Sequence, residues 1–176
     1  MKFSAKLFGI LVVASIMSCD KDMEPEVYSL DVESYIELLK SNQFDSLSIP
    51  AFDPSDIPLL LEHRNGSEIV RRFPANPVSS YNPPEQNYRL GVLALWTIES
   101  IRVVSIKGQD LVERFPSQNP FLEIRNNPSE WILDHKSEAY QIIAQTYFNW
   151  WETNKHMDFD DFKNMDPLET TTYKWH

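Results

Sequence analysis

Hydrophobic positions along this 176-residue chain recur with a period near 3.6 in several places and with a period of two in none that is long. From Asp31, the residues Val32, Tyr35, Ile36 and Leu39 stand at i, i+3, i+4 and i+7, one stripe of a three-turn helix that Asp31 can cap and that ends near Asn42. The segment DPSDIPLLLEHRNG at 53–66 predicts a second helix: Asp53 as N-cap, Pro54 in the first position, Ile57, Leu60 and Leu61 facing inward, and Asn65-Gly66 at the close. Pro58 removes one early backbone donor, so the first turn is expected to bend.

A connection with four prolines follows, RRFPANPVSSYNPPEQ at 71–86, whose Phe73, Val78 and Tyr81 suit a loop packed on the body. Next, YRLGVLALWTIESIRVV at 88–104 is apolar on nearly every face, which predicts a helix at the centre of the fold. At 126–154, Asn127, Pro128 and Glu130 repeat the N-cap grammar, and Tyr140, Ile143, Ala144, Tyr147, Phe148 and Trp151 form one helical face. Asp134-His135 leaves open whether one helix or two cover this region. The carboxyl end, from His156, reads as a short helix and a tail.

Two segments, VRRFPANP at 70–77 and VERFPSQNP at 112–120, share Val, Arg-Phe-Pro and Asn-Pro, with Phe73 and Phe115 separated by 42 residues. A period near 40 is that of HEAT-like arrays, although two copies are too few for a solenoid and a recurring proline turn would look the same. The expected fold class is therefore all-α: a compact helical domain over 31–176, with HEAT-like helix pairs and long Pro-rich connections as one form of it.

Composition supports a packed core, with 42% hydrophobic and 12% aromatic residues, and the 4 glycines against 12 prolines disfavour a sheet of tight hairpins. Lys2 and Lys6 precede an apolar run, Leu7 to Met17, that is too short to span a bilayer, which takes about 20 residues. Residues 1–18 read as a secretory signal. Ile16-Met17-Ser18-Cys19 resembles a bacterial lipobox, which makes Cys19, the sole cysteine, a lipidation site and an anchor to the membrane. Residues 19–30 then form a tether. The alternatives are an ordinary signal peptide or a core cysteine; an intramolecular disulfide is excluded.

Beyond Cys19 the chain carries 14 basic and 26 acidic residues, a net charge of −12, which argues against nucleic acid and against anionic lipid as partners. The lysine and acids of Asp20-Lys21-Asp22 resemble the export signal of Bacteroidota-type surface lipoproteins. Asp45-Ser46-Leu47 resembles the O-glycosylation triplet of the same group, with Ser46 the acceptor.

Candidate chemistry is sparse. With Cys19 consumed by lipid no thiolate nucleophile remains, no Gly-x-Ser-x-Gly elbow is present, and four glycines allow neither a phosphate loop nor a dinucleotide turn. His63, His135, His156 and His176 lack zinc spacing, and DFDDF at 158–162 lacks the glycine and later ligands of a calcium loop, so no metal or cofactor is expected. Asp134-His135 and His156 with Asp158 are local pairs suited to a proton relay or simply to the surface. Glu99 and Arg102, three residues apart on the most apolar helix, are either an edge ion pair or a buried polar site. Trp150 and Trp151 lie on adjacent faces, so one can turn outward to stack on a sugar or a partner protein, or pack beneath the carboxyl tail.

The blocks DIPLLLEHRN, FPANPVSSY and RLGVLALWTIESIR resemble those of a small uncharacterised lipoprotein family, a domain-of-unknown-function group from Bacteroides-like bacteria, over about residues 31–106. That resemblance implies a secreted, anchored, mostly helical domain and supplies no catalytic residue. The expected function is a non-enzymatic binding module of the bacterial envelope, anchored through Cys19 in the outer membrane and taking a protein or glycan partner. The alternative is a small hydrolase of envelope glycans or peptides with acids near His135 or His156.

Overall fold

Asp31 accepts the Ser34 N–H at 2.7 Å and so starts α1 (Val32–Lys40), whose stripe of Val32, Tyr35, Ile36 and Leu39 is wholly buried. The computed structural model describes residues 30–81, 87–108 and 111–176. Asp53 and Asp56 form a reciprocal capping box over a tight turn at Pro54–Asp56 that runs into α2 (Ile57–Glu62), the bend that Pro58 predicts. Beyond it, β1 (Ile69–Val70) pairs antiparallel with β2 (Tyr88–Arg89), which leads directly into α3 (Leu90–Lys107). Fourteen consecutive residues of α3, Leu90 to Val103, are buried, and α1, α2 and α4 (Glu138–Asn154) pack around it.

The expectation of an all-α fold, and of HEAT-like helix pairs with it, is overturned. Helices account for 44% and strands for 11% of the structure, with five strands in two antiparallel sheets among the described residues. The second sheet has β3 (Leu122–Ile124) at its centre, β4 (Asn127–Ile132) on one side and β5 (Tyr173–Trp175) on the other. Where a helix start was expected at Asn127, the chain forms an edge strand. Pro128 needs no ladder donor there, and Trp131-Ile132 favour a pleated surface; no helical stripe begins before Ala139. The tail is likewise a strand, and its short run of alternation was too brief to read as one. A short α5 (Phe159–Phe162) precedes it.

The repeated segments fold beside each other instead of each opening a helix pair. Asn76 Nδ2 donates to the Ser117 carbonyl at 2.8 Å, and Asn119 Nδ2 donates to Ser79 Oγ at 2.8 Å. Phe73 and Phe115 both pack on Trp96, at ring-centre distances of 5.9 and 5.7 Å. The likeness in sequence thus corresponds to two loops that clasp one buried indole of α3.

Candidate functional site

The described residues hold two polar arrangements of different kinds. One is sealed. Glu99 and Arg102 are 6% and 9% exposed, and Arg102 donates to both carboxylate oxygens, Nη2 to Oε1 at 2.6 Å and Nε to Oε2 at 2.9 Å. The Tyr147 hydroxyl donates to Glu99 Oε2 at 2.7 Å and accepts from Trp175 Nε1 at 2.8 Å, while Arg102 Nη1 donates to the Lys163 carbonyl at 3.1 Å. Burial alone would lower the Arg102 guanidinium, but the hydrogen bonds and charge of Glu99 hold it above its ordinary range. Burial and then the Glu99 charge push the Tyr147 hydroxyl far up, so it stays a proton donor. Every member is satisfied, and the network cross-braces α3, α4, β5 and the turn after α5.

The other arrangement is open. A cleft of about 570 Å³ lies between the turn after α2, the start of α3 and the first turns of α4. Arg64 and Asn65 come from the α2 turn, Arg89 from the end of β2, Lys136 and Ser137 from the β4–α4 connection, and Gln141 and Gln145 from α4. Gly91 sets the floor: its N–H donates to the Gly66 carbonyl at 3.0 Å, and the two segments touch backbone to backbone. Three cationic side chains line the cleft and no aspartate or glutamate does, in a chain of net charge −10.

Its polar groups are unevenly satisfied. Arg64 Nη1 donates to the Leu61 carbonyl at 2.8 Å, with its guanidinium 4.3 Å from the Phe148 ring centre. Arg89 Nε and Ser137 Oγ are buried atoms without a hydrogen-bond partner. Ser137 stands at the N-cap of α4, yet its side chain makes no capping bond. A buried polar atom without a partner is costly to the fold. Guanidinium, ammonium and amide groups gathered this way can bind an anion.

His135 belongs to the wall of this cleft. Its Nδ1 accepts the Arg89 N–H at 3.2 Å, and its ring stacks on Tyr88 and leans on Tyr140. Burial lowers its pKa to about 4, against a smaller opposing pull from Asp134 and a smaller push in the same direction from Arg89. The imidazole is therefore neutral at pH 7, and the unfolded chain binds the extra proton first. Stability should be fully present above about pH 6.5 and fall as the pH drops toward about 4. His135→Asn, which keeps an acceptor near Nδ1, should flatten the decline between about pH 6.5 and 5; urea midpoints measured across that range check it, and an unchanged slope contradicts it.

The residues singled out from sequence are scattered. Cys19 lies outside the described residues. Ser46 is half-buried, and its hydroxyl donates to the Ser48 carbonyl and accepts the Ser48 N–H. Trp150 is 8% exposed and packs edge-on against Phe162, at 5.2 Å, while the half-buried Trp151 borders a second cleft with Leu61, Arg64 and Phe148. Asp134 accepts the Lys136 N–H at 2.9 Å, and His156 and Asp158 are exposed and line none of the clefts. His176 stacks on Phe121 at 4.5 Å. Arg64, Arg89 and Lys136 went unread because three bases at positions 64, 89 and 136 have no shared spacing. A weak signal was present in Arg89, a base that directly precedes the most apolar helix of an acidic chain.

Among the described residues no helix is long and apolar enough to cross a membrane, and no three His, Cys, Asp or Glu side chains gather where they could hold a metal. No curated protein and no solved structure matches the chain. Residues 26–176 match the family described as Domain of unknown function (DUF4943), a span well beyond the blocks at 31–106, and reach through both clefts and the second sheet. The chain belongs to that family of unknown function.

Proposed function

We propose that this protein is a lipid-anchored module of the bacterial envelope that binds a ligand in the Arg64–Arg89 cleft without transforming it. The observation that carries this reading is the cleft's polarity: three cations and no lining carboxylate. The scale of the cleft suits a small ligand or one end of a longer one. Binding is favoured over hydrolysis because the neutral His135 spends its Nδ1 on backbone, and the adjacent Asp134 accepts the Lys136 N–H and does not line the cleft. Anchoring rests on Lys2, Lys6, the apolar run from Leu7 and the small Ser18 before Cys19.

One preparation tests both parts. Cys19→Ala should move the protein from the membrane fraction to the soluble one, and the released protein should show saturable binding of fractionated envelope oligomers that are recovered intact. Retention on the membrane refutes the anchor. Conversion of the oligomers to products refutes a binding role and favours the hydrolase.

A further inference from the structure

The first cleft does not end at Arg64. Arg64 also borders the second cleft, of about 420 Å³, with Pro58, Phe148, Trp151 and Lys155 among its walls. Gln141 and Gln145 of α4 line the first cleft, and Phe148, Trp151, Glu152 and Lys155 of the same helix line the second. At about 1.5 Å per residue, Gln141 to Lys155 spans about 21 Å of one helix face. The two clefts share Arg64, whose guanidinium lies over Phe148, and together line one face of α4 as its two halves.

The halves differ in charge. In the first, Arg89 and Lys136 stand without a lining acid, beside the Arg64 that both halves share. In the second, Glu62 and Glu152 offset Arg64 and Lys155, and Lys155 Nζ is already paired with Glu152 at 2.8 Å. An occupant that fits both is anionic at one end and neutral along the rest. Trp151 and Pro58 provide flat apolar surface for the neutral part.

Three backbone donors along the floor of the first half are already spent. The Arg89 N–H goes to His135, the Gly66 N–H to the His63 carbonyl and the Gly91 N–H to the Gly66 carbonyl. A peptide adding itself as a strand would find no ladder there. Side-chain amides of Asn65 and Gln141 are exposed at the rim, and the Arg89 side chain lines the wall. Amides meet hydroxyl groups as both donor and acceptor, and a guanidinium meets a carboxylate or sulfate.

We infer that the groove takes an acidic oligosaccharide, its carboxylate or sulfate held by Arg64, Arg89 and Lys136 and its neutral sugar rings laid along α4 toward Trp151. This rests on the binding role proposed above and specifies its ligand.

Oligogalacturonides, their fully methyl-esterified counterparts, a sulfated oligosaccharide, free galacturonate and an acidic peptide, each titrated into the Cys19→Ala protein, provide the test. The acidic oligomers should bind at least about tenfold more tightly than the esters, with the sulfated probe showing which anion the cleft prefers. Arg89→Gln, and separately the exposed Lys136→Gln, should erode that preference, while Trp151→Ala should weaken oligomers without affecting free galacturonate. Circular dichroism identifies any variant that has lost its fold, and Lys136→Gln, at an exposed position, keeps the test alive if Arg89→Gln does. Equal binding of ester and acid overturns the anionic ligand while leaving a binding role intact. Tighter binding of the peptide overturns the saccharide. Absence of binding by every probe overturns this assignment; the envelope-oligomer titration of the preceding section then decides separately whether the binding role survives.

Discussion

Glu99→Ala should destabilise the protein by about 3–5 kcal/mol, because it leaves the Arg102 guanidinium in the interior with only the Lys163 carbonyl to receive it. Arg102→Ala should cost a similar amount, since the Glu99 carboxylate would keep only the Tyr147 hydroxyl. These losses measure the penalty of stranding one charge; the net worth of the pair is another matter. Removing both charges with side chains of comparable volume, Glu99→Leu with Arg102→Met, should recover most of the stability. Tyr147→Phe should cost less, because it removes one hydrogen bond from the carboxylate and one from the Trp175 indole. Chemical denaturation of the four variants reads all of this. A double variant as unstable as either single one would show that the network itself, and not the unpaired charge, dominates.

Gly91→Ala is expected to be the other severe substitution, at about 3 kcal/mol or more. A methyl group there would lie 2.8 Å from the Arg64 carbonyl carbon and 2.9 Å from the Gly66 nitrogen, and closer still to the Arg64 oxygen. All three are backbone atoms, so no side-chain rotation relieves the contact. The turn after α2 must then move off α3, carrying Arg64 and Asn65 with it and opening the wall of the cleft. Loss of stability should therefore come with loss of ligand binding in any molecules that remain folded. At Gly108 the same change meets no atom within 4 Å and is disfavoured only by its backbone, at φ 66°. Urea titration of the two variants separates crowding from conformation; equal, small losses would mean that the α2 turn yields easily.

Helices announced themselves where a local cause sufficed. Asp31 caps α1 as expected, Asp53 caps the tight turn that leads into a shorter α2 than the one expected to close at Asn65-Gly66, and the all-apolar segment at 88–104 is the buried centre. Strands did not, because what makes them is distant. Leu122, Glu123 and Ile124 become β3 only through partners on both sides, Asn127–Ile132 and Tyr173–Trp175. Nothing in a three-residue window distinguishes such a strand from a loop. Asn127-Pro128 suited a helix start and an edge strand equally well by local rules, and tertiary pairing decided between them.

The cleft was hidden for the same reason. Its cations lie on the α2 turn, the end of β2 and the β4–α4 connection, and Gly91 lets the α2 turn meet the start of α3 backbone to backbone. Trp150 and Trp151 show how far periodicity reaches: adjacent residues had to differ in burial, yet the one placed on the inward face was Trp151, and the buried one is Trp150.

β5 also ties together parts of the fold that do not otherwise share a sheet or a helix. Trp175 supplies the N–H that satisfies Tyr147, β5 covers one edge of β3, and the His176 carbonyl receives the Gln118 and Asn119 N–H groups. Without Tyr173–Trp175 the brace between α3 and α4 would lack its indole donor and β3 would keep one edge unpaired. A three-residue strand therefore couples the second sheet to the helical body, and the two are expected to unfold together.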